Sequence, residues 1–315
     1  MPYYEISHLT RYTYSEFITA SVMEVRMRPR SDDRQTCTSF NIKLSPAARI
    51  LSYQDYLQNT IHFFDIPGAH QRLAINVESV VDVHSVAGLP EALPASAWEA
   101  LRPEHLDRDG YDMLRPGHFT APTDLTRAFA AELGVRRRDD PLTTLRELNT
   151  AIYRALDYDQ SVTTVDSPVD VALANRKGVC QDFAHIMATL VRGLDIPCRY
   201  VSGYLFHRKS DTERSAPDAS HAWVEAWLPD LGWVGFDPTN NVLCDDRHIR
   251  VCVGLDYADT APTRGVFTGV AETSLEVSVR VTRLEAPPVE ELPLFTFELP
   301  NFENQQRQQQ QQQQQ

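Results

Sequence analysis

Residues 178–193 have the sequence GVCQDFAHIMATLVRG, and this stretch decides the fold of the region around it. Its apolar residues recur at helical spacing and predict a helix with one face in the core. That face comprises Phe183, Ile186, Met187, Leu190, Val191 and Leu194. Gly178 precedes the predicted helix and Gly193 fits its end. Cys180 lies in the first turn, ahead of the apolar face, so packing in the core does not explain it.

Three predicted strands follow this helix. They are Cys198–Phe206, Ser220–Leu228 and Trp233–Asp237, and the last two are joined by a turn at 229–232. Within the second strand, one face is apolar and the other is mixed. The apolar face holds Ala222, Val224, Ala226 and Leu228, and the mixed face holds His221, Trp223, Glu225 and Trp227. A helix packed on antiparallel strands indicates an α+β fold.

Cys180, His221 and Asp237 are the candidate catalytic residues. The free N–H groups and the dipole of a helix N-terminus favour a thiolate at Cys180 and can hold an oxyanion. A thiol nucleophile needs a base, and the base needs an acceptor for its second ring nitrogen. Taken singly, His221 fits a structural histidine and Asp237 a turn-initiating residue before Pro238. The hairpin register stays open: centred on Pro229 it places His221 opposite Asp237, whereas a four-residue turn offsets them by three residues.

The whole chain divides into four predicted parts. Residues 1–85 alternate with period two in short runs and predict an antiparallel β-sandwich or barrel. Residues 86–120 are a Pro- and Gly-containing connector, and residues 121–285 form the catalytic core, with helices predicted at Thr123–Leu133 and Thr144–Leu156. The Pro/Glu-rich and polyglutamine tail, 286–315, is expected to be disordered.

The composition excludes several classes of protein. The 315 residues are 42% hydrophobic and 23% charged, as in a soluble globular protein of about two domains. A net charge of −13 provides no general attraction to nucleic acid, and the basic run 136–138 is followed at once by Asp139 and Asp140. No apolar stretch approaches the roughly 20 residues of a membrane span, and the first residues lack the features of a secretory signal. Five cysteines imply no disulfide framework and favour the cytoplasm.

Other candidate residues have weaker support. His185 lies about 140° around the helix from Cys180, too far to be its base. The spacing of Cys244, His248 and Cys252 could suggest zinc, but a fourth ligand is missing. Trp223, beside His221, is a candidate for a substrate-binding wall. For the second oxyanion donor, the polar residues Asn175 and Gln181 are close in sequence, and neither is favoured.

Four motifs in order resemble the core of the transglutaminase-like superfamily. They are Gly178–Phe183, Ile196–Tyr204, Ser220–Trp227 and Gly232–Asn240, and the resemblance spans about 150–260. The N-terminal segments His8–Tyr14 and Arg26–Arg30 are similar to the β-rich domain that precedes this core in bacterial members. The resemblance implies a papain-like α+β core with Cys180 as nucleophile, His221 as base and Asp237 as the orienting carboxylate. Many bacterial relatives have Gly-Asn where this chain has Gln58 and Asn59.

Two functions follow as hypotheses. The first is a cysteine enzyme without cofactor or metal that acts on peptide or glutamine-type carboxamides through a thioester, by hydrolysis or by transamidation. The second is a peptide-binding module that kept the fold and lost turnover. The intact set of three residues favours the enzyme. Neither nucleic acid nor membrane is expected as a partner, and the oligomeric state is not predicted.

Overall fold

The computed structural model describes residues 2–84, 88–208, 213–217 and 219–286. Residues up to Glu285 form one compact unit. Among the residues described, no helix has the length and apolar character needed to cross a membrane. The disorder expected for the tail 286–315 is not tested, because residues 287–315 lie outside the described residues.

The order of the elements agrees with the predicted β-rich start and helical middle. The strands are β1 (Tyr3–Ile18), β2 (Ala20–Val25), β3 (Gln35–Ser45), β4 (Leu51–Gln54), β5 (Thr60–Ile66), β6 (His70–Val83), β7 (Asp157–Tyr158), β8 (Lys177–Gly178), β9 (Cys198–Leu205), β10 (His221–Leu228), β11 (Gly232–Asp237), β12 (Val242–Leu243), β13 (His248–Gly254), β14 (Thr263–Thr268) and β15 (Thr273–Leu284). The helices are α1 (Ala97–Ala100), α2 (Arg108–Asp112), α3 (Asp124–Glu132), α4 (Pro141–Ala155), α5 (Val169–Asn175), α6 (Cys180–Arg192) and α7 (Tyr257–Thr260), with a 3₁₀ turn at Pro103–His105.

An antiparallel β-sandwich forms the N-terminal region, as predicted. One sheet has the order β15-β1-β6-β3 and the other β14-β2-β5-β4. Alternate residues of β2, β5 and β6 are fully buried between the two sheets, among them Val25, Phe64 and Ile75. Burial of these apolar side chains stabilises the sandwich, because each contributes about 1.5–3 kcal/mol when removed from water.

The chain returns to this sandwich at its end. Strand β14 pairs with β2, and β15 pairs with β1 from Tyr3↔Leu284 to Tyr14↔Thr273. Both strands lie within residues 121–285, which the sequence analysis assigns to the catalytic core. Alternation identifies a strand but not its partner, so the return of the chain was not predictable from it.

The central sheet carries the site. Its order is β12-β11-β10-β9-β13, and α6 packs on the face that contains Ala222, Val224 and Ala226. Helices α3, α4 and α5 contribute to the same core. The α+β prediction is confirmed. The mixed face of β10 is also covered, with His221, Trp223 and Glu225 buried and Trp227 half-buried. Glu225 pairs with Arg199 and Arg250 beneath the N-terminal sandwich.

Two side-chain amides from the sandwich region cover the edge strand β13. Gln35 donates from Nε2 to the Arg250 carbonyl and accepts from the Arg250 N–H, at 2.8 and 2.9 Å. Asn59 does the same for Val253, also at 2.8 and 2.9 Å. Each amide therefore replaces one residue of a neighbouring strand and satisfies backbone groups that an edge strand leaves free.

Candidate active site

Cys180 begins α6, as the sequence predicted. The Asp182 carboxylate accepts from the Val179 N–H at 2.8 Å and from the Thr163 hydroxyl at 2.6 Å, which fixes the start of the helix. A Cβ at Gly178 would lie 2.6 Å from the Asp182 carboxylate, so the close approach requires glycine. Cys180 itself is half-buried and free of disulfide. The first N–H groups of the helix have no intrahelical partners and are available to an oxyanion at this thiol.

The β10–β11 hairpin brings His221 and Asp237 together. Its register is Val224↔Phe236 to Leu228↔Gly232, which centres the turn on Asp230. This lies between the two registers considered from the sequence, because the loop has three residues and Asp230 takes a left-handed φ of 63°. Continuing the register places His221 two residues beyond the position opposite Asp237. An offset of two keeps both side chains on one face of the sheet, and no bulge is needed.

Nε2 of His221 lies 2.8 Å from Oδ2 of Asp237, and both side chains are buried. Burial lowers the pKa of His221, but the Asp237 carboxylate outweighs it and raises the pKa to about 9, with a contribution from Cys180. Burial raises the pKa of Asp237, and the facing imidazole outweighs it and holds that pKa far below its usual range. The pair therefore consists of a carboxylate and an imidazolium at neutral pH.

The other ring nitrogen of His221 is the one available to Cys180. Nδ1 is buried and makes no hydrogen bond within the described residues, while the Cys180 side chain is close enough to raise the His221 pKa. The structure thus brings together all three predicted catalytic residues: a helix-terminal thiol, an imidazole and an orienting carboxylate.

Two residues that contact Asp237 were not predicted as part of the site. Asn240 donates from Nδ2 to Oδ2 at 2.8 Å, and Nε2 of His248 lies 3.4 Å from the same oxygen. Oδ1 accepts from the backbone N–H groups of Thr239 and Asn240. Asn240 ends the motif Gly232–Asn240, and His248 belongs to the spacing that could suggest zinc. Neither sequence pattern reveals a contact with Asp237.

The prediction that Trp223 lines a substrate wall is wrong. Its side chain is 0% exposed, and its ring packs against His248, with centroids 5.2 Å apart. It also packs against Gly203, where a Cβ would lie 2.5 Å from the indole. Trp223 is buried because the sandwich region covers this face of β10, which the sequence analysis did not predict. From there its ring packs against both His221 and His248.

The structure also places the remaining candidates. His185 is buried, stacks on Phe119 and accepts from the Tyr257 N–H, and burial lowers its pKa to about 3. The side-chain amide of Asn175 donates to the Val171 carbonyl, and that of Gln181 donates to the Val165 carbonyl. Both candidate oxyanion donors are therefore already hydrogen-bonded within the protein.

The zinc spacing considered in the sequence does not bring Cys244, His248 and Cys252 together as ligands of one ion. Cys252 lies in a separate apolar cluster with β1 and β6, apart from His248. Among the described residues, the ligand atoms of His221, Asp237 and His248 lie within 4.8 Å of one another. Both imidazoles lie within hydrogen-bonding distance of Oδ2 of Asp237, so these three side chains are assigned to a hydrogen-bonded group and to no metal.

Comparison with known proteins agrees with this geometry. A model of the bacterial transglutaminase-like N-terminal region matches residues 4–82, and a model of the transglutaminase-like superfamily matches residues 127–238. An uncharacterized protein of Mycobacterium leprae is 36% identical over 281 residues, covering 89% of this chain and 98% of that protein. The chain belongs to the transglutaminase-like superfamily.

Two further proteins are similar to this chain over different lengths. The protein-glutamine gamma-glutamyltransferase of Pseudomonas aeruginosa is 34% identical over 108 residues, 30% of this chain and 14% of that protein. A Cytophaga hutchinsonii protein, provisionally named a cysteine protease, has a crystal structure with a TM-score of 0.72. It covers 91% of this chain and 92% of its own at 20% identity, so the two share a fold.

Proposed function

We propose that this protein is a cysteine enzyme that acts on peptide or glutamine-type carboxamides through a thioester. One observation carries the proposal: the buried His221–Asp237 pair, 2.8 Å apart, beside a half-buried thiol at a helix N-terminus. Nε2 is held by the carboxylate, so Nδ1 is the nitrogen that serves the thiol. A peptide-binding module would not need a free thiol beside such a pair.

The proposed reaction has two halves. The Cys180 thiolate adds to the amide carbonyl, and helix N–H groups stabilise the oxyanion. The C–N bond breaks as Nδ1–H of His221 protonates the departing amine, which leaves a thioester. In the second half His221 takes a proton from water or from an acceptor amine, which attacks the thioester and releases Cys180. Water gives hydrolysis, and an amine gives transamidation.

Site-resolved alkylation tests the reactive thiol. We expect iodoacetamide at neutral pH to modify Cys180 much faster than the other four cysteines, because Cys198 and Cys252 are buried and burial raises their pKa to about 12. Cys37 is the matched control, since it is also half-buried but lies on β3. Equal rates at Cys37 and Cys180 would contradict the proposal.

Trapping of the acyl-enzyme tests turnover. Incubation with a peptide library, with and without a small primary amine, should give a Cys180 adduct whose mass identifies the acyl group. Release of free acid with the amine present favours hydrolysis, and amine incorporation favours transamidation. Cys180→Ala should form neither product while melting at the wild-type temperature, because the half-buried side chain leaves little cavity. Product from this variant would contradict the proposal.

A further inference from the structure

A second histidine faces the carboxylate of the proposed triad. His248 begins β13 and is 5% exposed, and its ring centroid lies 6.2 Å from that of His221. Its Nε2 is 3.4 Å from Oδ2 of Asp237, the same oxygen that lies 2.8 Å from Nε2 of His221. One carboxylate oxygen thus lies between two imidazoles.

The other side of the His248 ring faces a second carboxylate. Nδ1 lies 3.2 Å from Oδ1 of Asp245, whose backbone N–H is also 3.2 Å away. Asp245 is in turn paired with Arg247. His248 can donate from Nε2 to Asp237 in two forms: as the Nε2–H tautomer, whose Nδ1 accepts from the Asp245 N–H, or as the imidazolium, whose Nδ1 donates to the Asp245 carboxylate.

The charged surroundings favour the cationic form of His248. Burial lowers its pKa, but Cys244 and the carboxylates of Asp237 and Asp245 outweigh burial and raise the pKa well above its usual value. The other titratable groups that line the small cavity beside His248 are Glu225, Arg250, Arg34 and His84. Glu225 is neutralised by its ion pairs with Arg199 and Arg250.

We propose that His248 is a positioning residue that fixes the Asp237 carboxylate and shares its charge, so that His221 gives up its proton more readily. A carboxylate bound only to His221 would stabilise the imidazolium fully and make it a weak acid for the departing amine. A second cation on the same oxygen reduces that stabilisation. The inference rests on the proposed roles of Cys180 and His221, and nothing requires His248 to contact the substrate.

Two substitutions separate the hydrogen bond from the charge. His248→Gln keeps an N–H donor for Asp237 and removes the charge, whereas His248→Leu removes both. The measurement is the rate of Cys180 alkylation by the anion iodoacetate against pH. The His221 imidazolium attracts this anion to the thiolate, so the basic limb of the profile, where the rate falls, reports loss of the His221 proton. Val83→Ala is the packing control, since Val83 lines the same small cavity as His248 and is not part of the proposed site.

We expect the Gln variant to alkylate at neutral pH within about threefold of the wild type, with its basic limb raised by about one pH unit, a tenfold change in proton affinity. The Leu variant should react about tenfold more slowly, since a buried acceptor loses its donor. Val83→Ala should lower the melting temperature without moving the limb, because Val83 is buried. The proposal is overturned if neither His248 variant moves the limb, or if Gln and Leu lose rate and stability equally. A wild-type Cys180 no more reactive than Cys37 would instead refute the proposed function.

Discussion

Asp237 is the most heavily coordinated side chain of the site. Its two oxygens lie within hydrogen-bonding distance of five groups: the imidazoles of His221 and His248, the amide of Asn240 and two backbone N–H groups. The carboxylate is therefore held in one orientation from every side. Because that orientation decides which His221 nitrogen carries a proton, a change at Asp237 acts on His221 as well.

Asp237→Asn should impair catalysis through the tautomer of His221. Backbone N–H groups would hold Oδ1 of the new amide, so its Nδ2–H₂ would face Nε2 and require Nε2 to accept. The proton would then sit on Nδ1, which could no longer take one from Cys180. We expect kcat/KM to fall by a factor of about 100–10,000, yet less than in His221→Ala, which loses the base. Steady-state kinetics of both variants on one amide substrate provide the measurement, and a larger loss for Asn would mean that Asp237 has another role.

The raised pKa of His221 predicts a pH dependence of stability. A group whose pKa is higher in the folded state stabilises fully below its unfolded pKa, roughly 6.5, and this contribution is lost as pH rises through the folded value. For His221 the folded value is about 9. The difference in unfolding free energy between the wild-type protein and His221→Gln should therefore shrink from about pH 6.5 to 9. Denaturant titrations across this range measure it, and a difference that stays constant or grows would contradict the assignment.

At the scale of elements, turn geometry explains a departure from the relatives. Gln58 has φ 63° in the turn between β4 and β5, a left-handed conformation that suits glycine. Its neighbour Asn59, by contrast, binds β13 with both polar atoms. In the Gly-Asn pair that the family resemblance leads us to expect, glycine would suit the left-handed backbone and asparagine would bind β13. This chain keeps the asparagine and has Gln58 in place of the glycine.

Gln58→Gly should stabilise the protein. Glycine removes the strain of the left-handed conformation, which is about 1–2 kcal/mol. It also raises the conformational entropy of the unfolded chain, which lowers stability, so we expect a net gain of about 0.5–1 kcal/mol in the free energy of unfolding. Thermal melting measures the change. The matched control is Gln54→Gly, an exposed position in β4, which should lose about 0.5–1 kcal/mol. The interpretation fails if both substitutions shift the melting temperature in the same direction.

Features set by neighbouring residues could be predicted from the sequence, whereas features set by contacts between distant residues could not. The apolar face of α6 and the alternation in β10 are local, and both were predictable. The hairpin register depends on the left-handed φ of two residues, Asp230 and Gly232, and the sequence does not reveal that of Asp230. Contacts across long separations, such as Gln35 with Arg250, leave no periodic signal, so burial of the second face of β10 and of Trp223 was missed.

At the scale of the whole molecule, the sandwich region closes the free edge of the central sheet. Asn59→Leu would leave the N–H and C=O of Val253 without partners in a buried place, so we expect a loss of about 2–4 kcal/mol. Asn41→Leu is the control, because Asn41 is exposed on β3 and should change stability by less than about 0.5 kcal/mol. Denaturant unfolding measures both, and equal effects would argue against the edge role of Asn59.

The pairing of β1 with β15 also constrains how the protein is made. Strand β1 finds β6 early in synthesis, but its other edge waits for Thr273–Leu284. At about 5–20 residues per second, the ribosome needs roughly 10–40 s to pass from the end of β6 to the start of β15. Throughout that interval a sixteen-residue strand offers an open edge to other nascent chains. Ribosomes stalled before residue 273 should therefore carry chains that associate or recruit chaperones, whereas chains released after residue 284 should not.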